Sequence, residues 1–256
     1  MLKKLQILSL ALLSSLSLSV SADCKLSVRV FDFAPQFVQD EQGQWQGMAV
    51  ELIEAVLQEA NCSAQFNNIS WKRALHLLEH GGLDIMLNMS ITAQRQKYLH
   101  FIGPLRDETM ILVTPRGLES EISNLSDIKK LTRRVGILRG AYYGTEFAQK
   151  MQQDTGFSEK FEEANSTDVN IGKLKKQRIA GFFNDKYNAS YILQNKLDGT
   201  QYKIQPLILN QDFVYIGVSK KSVSAETREL LDRAFTRAQS KGTLKKILTK
   251  YGDSSP

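Results

Sequence analysis

The chain has 256 residues, a length that suits one large domain or two small ones. Hydrophobic residues make up 42% and charged residues 23%, which excludes wholesale disorder, and two cysteines are too few for a disulfide scaffold or an all-cysteine zinc site. The formal net charge of +6 is spread over separate pairs such as Lys129-Lys130, Lys175-Lys176 and Lys245-Lys246, a pattern of solvated faces, so no nucleic-acid partner is expected.

Lys3 and Lys4 precede an apolar run from Leu5 to Leu18, and Val20-Ser21-Ala22 supplies small residues at signal-peptidase spacing. Cleavage after residue 22 is expected, because the run is shorter than the ~20 residues a spanning helix needs. Asp23 separates Ala22 from Cys24, which argues against lipidation. Export places the chain in an oxidising compartment, where Cys24 and Cys62 can pair. Each cysteine lies two residues before a strand, Leu26 to Val30 and Ala64 to Ile69. Those strands are expected to be parallel neighbours, so a disulfide is predicted.

Leu26 to Val30 reads as a strand. Met48, Ala49, Leu52, Ile53, Val56, Leu57 and Ala60 recur at helical spacing. After the second strand, Ser70 is placed to start a helix at Trp71 that Gly81-Gly82 ends. Asp84 to Met89 is a nearly continuous apolar run, as expected of a strand covered on both faces. This β-α-β-α-β order argues for a parallel sheet flanked by helices. The alternation then repeats. Strands are expected at Met110 to Val113, Arg134 to Leu138, Ala180 to Phe183 and Val214 to Val218. Between and after them come a short helix at Ser126 to Leu131, a helix through Phe147 and Met151, one capped by Thr167, one from Tyr187 to Leu193, one started by Ser224, and a last one from Leu244 to Tyr251.

Several segments, in this order, carry a resemblance along the whole chain after residue 22. They are Phe33-Ala-Pro-Gln-Phe37, Gly47-Met-Ala-Val-Glu-Leu52, Trp71 to Leu75, Gly82-Leu-Asp84, Asn88-Met-Ser90-Ile-Thr92-Ala-Gln-Arg95, Phe101 with Pro104, Val135-Gly-Ile-Leu-Arg-Gly140, Gln177 to Asp185, and Gly242-Thr-Leu to Tyr251-Gly. The sequence resembles the type II periplasmic solute-binding proteins, in particular the family-3 extracellular group that includes polar amino acid receptors. The resemblance implies an α/β fold of two lobes, each a mostly parallel sheet flanked by helices, joined by two crossover strands. The first lobe is expected at residues 23–111 with 212–256, and the second at 112–211. It also implies a monomeric periplasmic protein that closes over an amino-acid-like solute and delivers it to an ABC permease, or reports it to a membrane sensor.

The resemblance carries site roles with it. Arg95, helped by Ser90 and Asn88, is expected to hold a ligand carboxylate, since a guanidinium takes a carboxylate bidentately. Asp185 is expected either to bind an ammonium or to cap the helix after it, two roles that the sequence leaves open. Trp71 and Phe33 match aromatic platforms for the ligand side chain. Ala141-Tyr142-Tyr143 departs from the family's Gly-x-Thr loop, and the bulk of Tyr142 predicts a differently shaped wall.

Two other readings compete. His76-Leu-Leu-Glu79-His80 fits an inverted zinc-protease pattern, but His100 is the only other histidine and no downstream glutamate ligand is identifiable. Neither metal nor cofactor is expected. Cyclohexadienyl dehydratases share the scaffold, and Asp185 or Glu108 could serve one as a general acid. The favoured expectation is a binding protein, not an enzyme.

Overall fold

Cys24–Val30 forms the first strand, β1, whose Val28 and Val30 are fully buried. The computed structural model describes residues 24–118 and 120–252; the expected signal peptide lies outside them. A small hairpin, β2 (Val38–Gln39) and β3 (Trp45–Gln46), leads into α1 (Met48–Glu59). The apolar face of α1 buries Leu52, Ile53, Val56 and Leu57, as their spacing predicts. β4 (Cys62–Asn68) follows, then α2 (Trp71–His80), which Gly81 ends in the left-handed conformation. β5 (Ile85–Met89) is buried throughout, and α3 (Ala93–Gln96) is capped by the Thr92 side chain.

The next strand, β6 (Leu99–Pro115), is far longer than the expected Met110 to Val113. A 3-10 turn at Leu125–Lys130 replaces the expected short helix and is closed by a capping box between Asn124 and Asp127. Then come β7 (Val135–Leu138), α4 (Thr145–Gln153), α5 (Thr155–Ser158) and β8 (Phe161–Ala164). α6 (Thr167–Lys175) is capped by Ser166, which accepts from the Val169 N–H; Thr167 is its first helical residue, not its cap. β9 (Gly181–Asp185) and α7 (Lys186–Asn195) precede β10 (Tyr202–Ser219), again much longer than the expected Val214 to Val218. α8 (Ala225–Ser240) starts at Ser224, whose side chain accepts from the Thr227 N–H. Gly242, left-handed at φ 71°, separates it from α9 (Thr243–Lys250).

The main sheet runs β4-β1-β5-β10-β6-β9-β7-β8. β1 pairs in parallel with β4 and β5, and β7 in parallel with β8 and β9. β6 and β10 form an antiparallel ribbon between these two groups. β5 bonds to the Tyr215–Val218 end of β10, while β9 bonds to Met110–Val113 of β6. Two lobes therefore hang from opposite ends of one two-stranded ribbon. Its register breaks between Ile204 and Ile208, Ile208 and Asn210, and Val214 and Ile216. Such irregularities bend a strand pair and increase its twist. The expected lobe boundaries fall inside β6 and β10. One lobe's core packs α1, α8 and α9 on β1 and β5, through Leu52, Val56, Leu231 and Leu248. The other gathers Phe147, Phe157, Phe161 and Phe183 into a contiguous aromatic cluster.

Cys24 and Cys62 are register partners at the starts of β1 and β4, with Cα atoms 4.5 Å apart, and they form the predicted disulfide. Among the described residues no helix is long and apolar enough to cross a membrane, and no group of side chains could hold a metal ion. His76 and His80 stack on one face of α2 with ring centroids 4.1 Å apart, and His100 binds Asp232 elsewhere.

Candidate ligand-binding cleft

A cavity lies between the lobes where β1, β5 and β9 end. Parallel strands leave their carboxyl ends open for ligands. Phe33, Trp71, Asn88, Ser90, Tyr142 and Asp185, all singled out in the sequence, line this one cavity. Asn88 sits near the end of β5 with φ 58°, a left-handed conformation that costs a non-glycine residue about 1 kcal/mol or more. Its amide oxygen accepts from Arg106 Nη2 at 3.3 Å.

Arg95 stands beside the cavity, in an adjoining groove with Lys72, Tyr98 and Tyr142. It is 6% exposed. Nη1 donates to the Ser90 carbonyl at 2.9 Å and Nη2 to the Gly140 carbonyl at 3.3 Å. Burial lowers its pKa from the usual arginine value, and the nearby Tyr98, Glu108 and Tyr142 partly offset that. Trp71 Nε1 donates to the same Gly140 carbonyl at 3.1 Å. Gly140 turns the chain at φ 78°, in the left-handed region that favours glycine. Its carbonyl thus meets two side chains from the opposite lobe. Asn188 Nδ2 to the Ala34 carbonyl (2.5 Å) and Lys196 to Asp32 (3.5 Å) also join the lobes, so the cleft is closed.

Asp185 ends β9 and does cap α7, accepting from the Tyr187 and Asn188 N–H groups. It also holds a partner that the sequence did not reveal. Arg106 Nη1 lies 3.1 Å from Asp185 Oδ2, and both side chains are almost fully buried. Gln36 Nε2 donates to Asp185 Oδ1 at 3.1 Å. Burial acts to lower the Arg106 pKa, but the Asp185 and Glu108 carboxylates outweigh it and the net shift is upward. The carboxylate that the family motif offers to an ammonium is thus already neutralised by an internal cation.

Three further residues shape the cavity; the sequence reading named only Glu108 among them, and only as a general acid of the dehydratase alternative. Arg29, alone in an otherwise apolar strand end, is buried in the cavity wall. Its Nε donates to the Ile69 carbonyl at 3.0 Å, and its guanidinium lies 5.4 Å from the Phe31 ring and 5.5 Å from Trp71. Burial lowers its pKa to about 9. Glu108, on β6, lines the cavity with its side chain 12% exposed. Burial raises its pKa to about 8; Arg106 and Arg95 pull it down, and Asp185 and Asp107 push it up. Asn170, on α6, also lines the cavity and has a buried Oδ1 without a donor among the described residues. Glu108 and Asn170 together ask a ligand for N–H donors.

Comparison with known proteins settles the family. The model of the bacterial extracellular solute-binding proteins, family 3, matches residues 29–254. The chain belongs to that family. This solute-binding protein is 23% identical over 223 residues to a probable histidine-binding protein of Neisseria gonorrhoeae, covering 86% of this chain and 80% of the relative. It is 25% identical to the histidine-binding periplasmic protein of Escherichia coli K12, covering 98% and 97% of the two chains. Among solved structures, the arginine-, lysine-, histidine-binding protein ArtJ of Geobacillus stearothermophilus superposes with a TM-score of 0.76 at 22% identity, covering 91% of this chain and 96% of ArtJ. At that identity the likeness shows the fold. The family and the two curated relatives are binding proteins, not enzymes.

Proposed function

We propose that this solute-binding protein works in the periplasm, where it captures an amino acid between its lobes and delivers it to an ABC importer. One observation carries the reading. Side chains from position 33 to position 185 converge on a single cavity between the lobes, with Arg95 at its edge. Phe33, Trp71 and Tyr142 supply apolar faces for a ligand side chain. The relatives that bind histidine make a basic amino acid the first candidate. Arg95 takes the ligand carboxylate, exchanging its long bond to the Gly140 carbonyl for a charged partner, with Ser90 and Asn88 beside it. Trp71 keeps its hold on Gly140, so the bound ligand and the closed cleft support each other.

The test is a thermal-shift screen of the mature protein against amino acids. At a ligand concentration 100 times Kd the stabilisation is about 2.7 kcal/mol, and for a chain of this size Tm rises by ~5–10 °C. Arg95→Ala should weaken amino acid binding by about 30-fold or more, from a loss of about 2–5 kcal/mol. Arg95→Lys should recover only part of it, because an ammonium lacks the planar fork. Unchanged affinity in a folded Arg95→Ala variant would remove Arg95 from the site.

The raised pKa of Glu108 keeps a protonated acid in the cavity, which favours dehydratase chemistry as a second reading. Release of phenylpyruvate from prephenate tests it.

A further inference from the structure

We propose that Glu108, not Asp185, receives the ligand's ammonium group, so that the site reads an α-amino acid through the pair Arg95 and Glu108. This rests on the amino acid reading above and assigns the half of the zwitterion that Arg95 does not hold.

The geometry supports the exchange of roles. Asp185 is 2% exposed and its oxygens accept from Arg106, Gln36 and two helix N–H groups. An ammonium arriving there would find a carboxylate already balanced by a guanidinium. Glu108 is two residues along β6 from Arg106, on the same face of the strand, and Met110 beyond it also lines the cavity. The one ion pair of Glu108 among the described residues is to Arg106 Nη2 at 3.9 Å, too long for a hydrogen bond. Neither of its oxygens accepts a hydrogen bond among those residues. The groove of Arg95 and the cavity of Glu108 share Ala141 and Tyr142 in their linings, and the two charged groups act on each other.

The charged and titratable groups around Glu108 are Arg106 and Asp107 on β6, Asp185 on β9, Arg95 on α3, the neutral phenol of Tyr143 before α4 and, opposite it in the ladder, Asp212 on β10. Asp107 is engaged by Lys186 of α7, and Tyr187 stands over Arg106. Without an ammonium beside it, burial keeps the Glu108 proton on up to about pH 8. A ligand ammonium favours the carboxylate, so binding expels that proton. Affinity should therefore rise with pH toward 8, by up to about tenfold per unit.

The test is calorimetry of wild type and Glu108→Gln at pH 6.5 and 7.5, each in two buffers of different ionisation enthalpy. The probes are L-arginine and L-histidine, with their deamino analogues 5-guanidinopentanoate and 3-(imidazol-4-yl)propionate. For L-arginine, wild type should release close to one proton at pH 6.5 and bind about five- to tenfold more tightly at pH 7.5. Glu108→Gln should bind either amino acid at least about tenfold more weakly at pH 7.5, release no proton with L-arginine, and bind the deamino analogues as wild type does. Absence of proton release from wild type on binding arginine, which needs no variant, overturns the assignment and leaves amino acid binding standing. So does undiminished amino acid affinity in Glu108→Gln. A wild type that binds neither amino acid overturns the reading beneath it.

Discussion

Replacing Arg106 by Met should lower the stability of the ligand-free protein by about 3–5 kcal/mol, the cost of leaving a buried charge without its partner. The substitution removes the guanidinium that lies 3.1 Å from Asp185 and also bonds the Asp107 carbonyl and Asn88. Asp185 keeps its bonds from Gln36 and the start of α7, but these dipoles do not cancel a full charge in a site 2% exposed. The double variant Arg106→Met with Asp185→Asn should recover most of the stability, since a buried pair exchanged for neutral groups is often near neutral in energy. Urea denaturation of the single and double variants checks this. A single variant within 1 kcal/mol of wild type would mean that the ion pair does not organise the cleft.

The second large effect concerns the disulfide. Cys24 and Cys62 close a loop across 38 residues of sequence. Chain-entropy reasoning gives about 4 kcal/mol for a loop of this length. The Cys24→Ser, Cys62→Ser double variant should fall by about that amount and match reduced wild type. The bond joins the starts of β1 and β4, whereas the cleft lies at the strands' other ends. Ligand affinity of the folded fraction should therefore stay the same. Thiol labelling of denatured, unreduced wild type should find no free cysteine among its two. Two labelled thiols, or an unchanged urea midpoint in the double variant, would contradict the account.

What could be read in the sequence followed local pattern. Helical spacing from Met48 to Ala60 marked α1, and the apolar run to Met89 marked β5, because each element has one consistent environment. β6 and β10 do not. They pass from one lobe to the other, and Pro104, Arg106, Asp107 and Glu108 in β6, with Asn210, Gln211 and Asp212 in β10, interrupt any alternation of apolar residues. Only their apolar ends were visible. β8 was missed because Phe161-Glu-Glu-Ala164 is too short and too polar to signal a strand. The candidate site was legible where a motif fixes it, at Ser90, Trp71 and Phe33. Arg106 and Asp185 lie 79 positions apart, and nothing local to either signals their pairing. Arg29 carried one faint sign, a charge within an apolar strand end.

The central claim is that the cleft recognises an amino acid by both of its charged ends. Calorimetric titration of ligand-free protein with L-arginine, with agmatine, which lacks the carboxylate, and with 5-guanidinopentanoate, which lacks the ammonium, tests it most directly. The account predicts one molecule of L-arginine bound per chain and each analogue weaker by about tenfold or more, since agmatine leaves the buried Arg95 charge without a carboxylate and 5-guanidinopentanoate brings Glu108 no ammonium to pair with. Agmatine bound as tightly as arginine would contradict it.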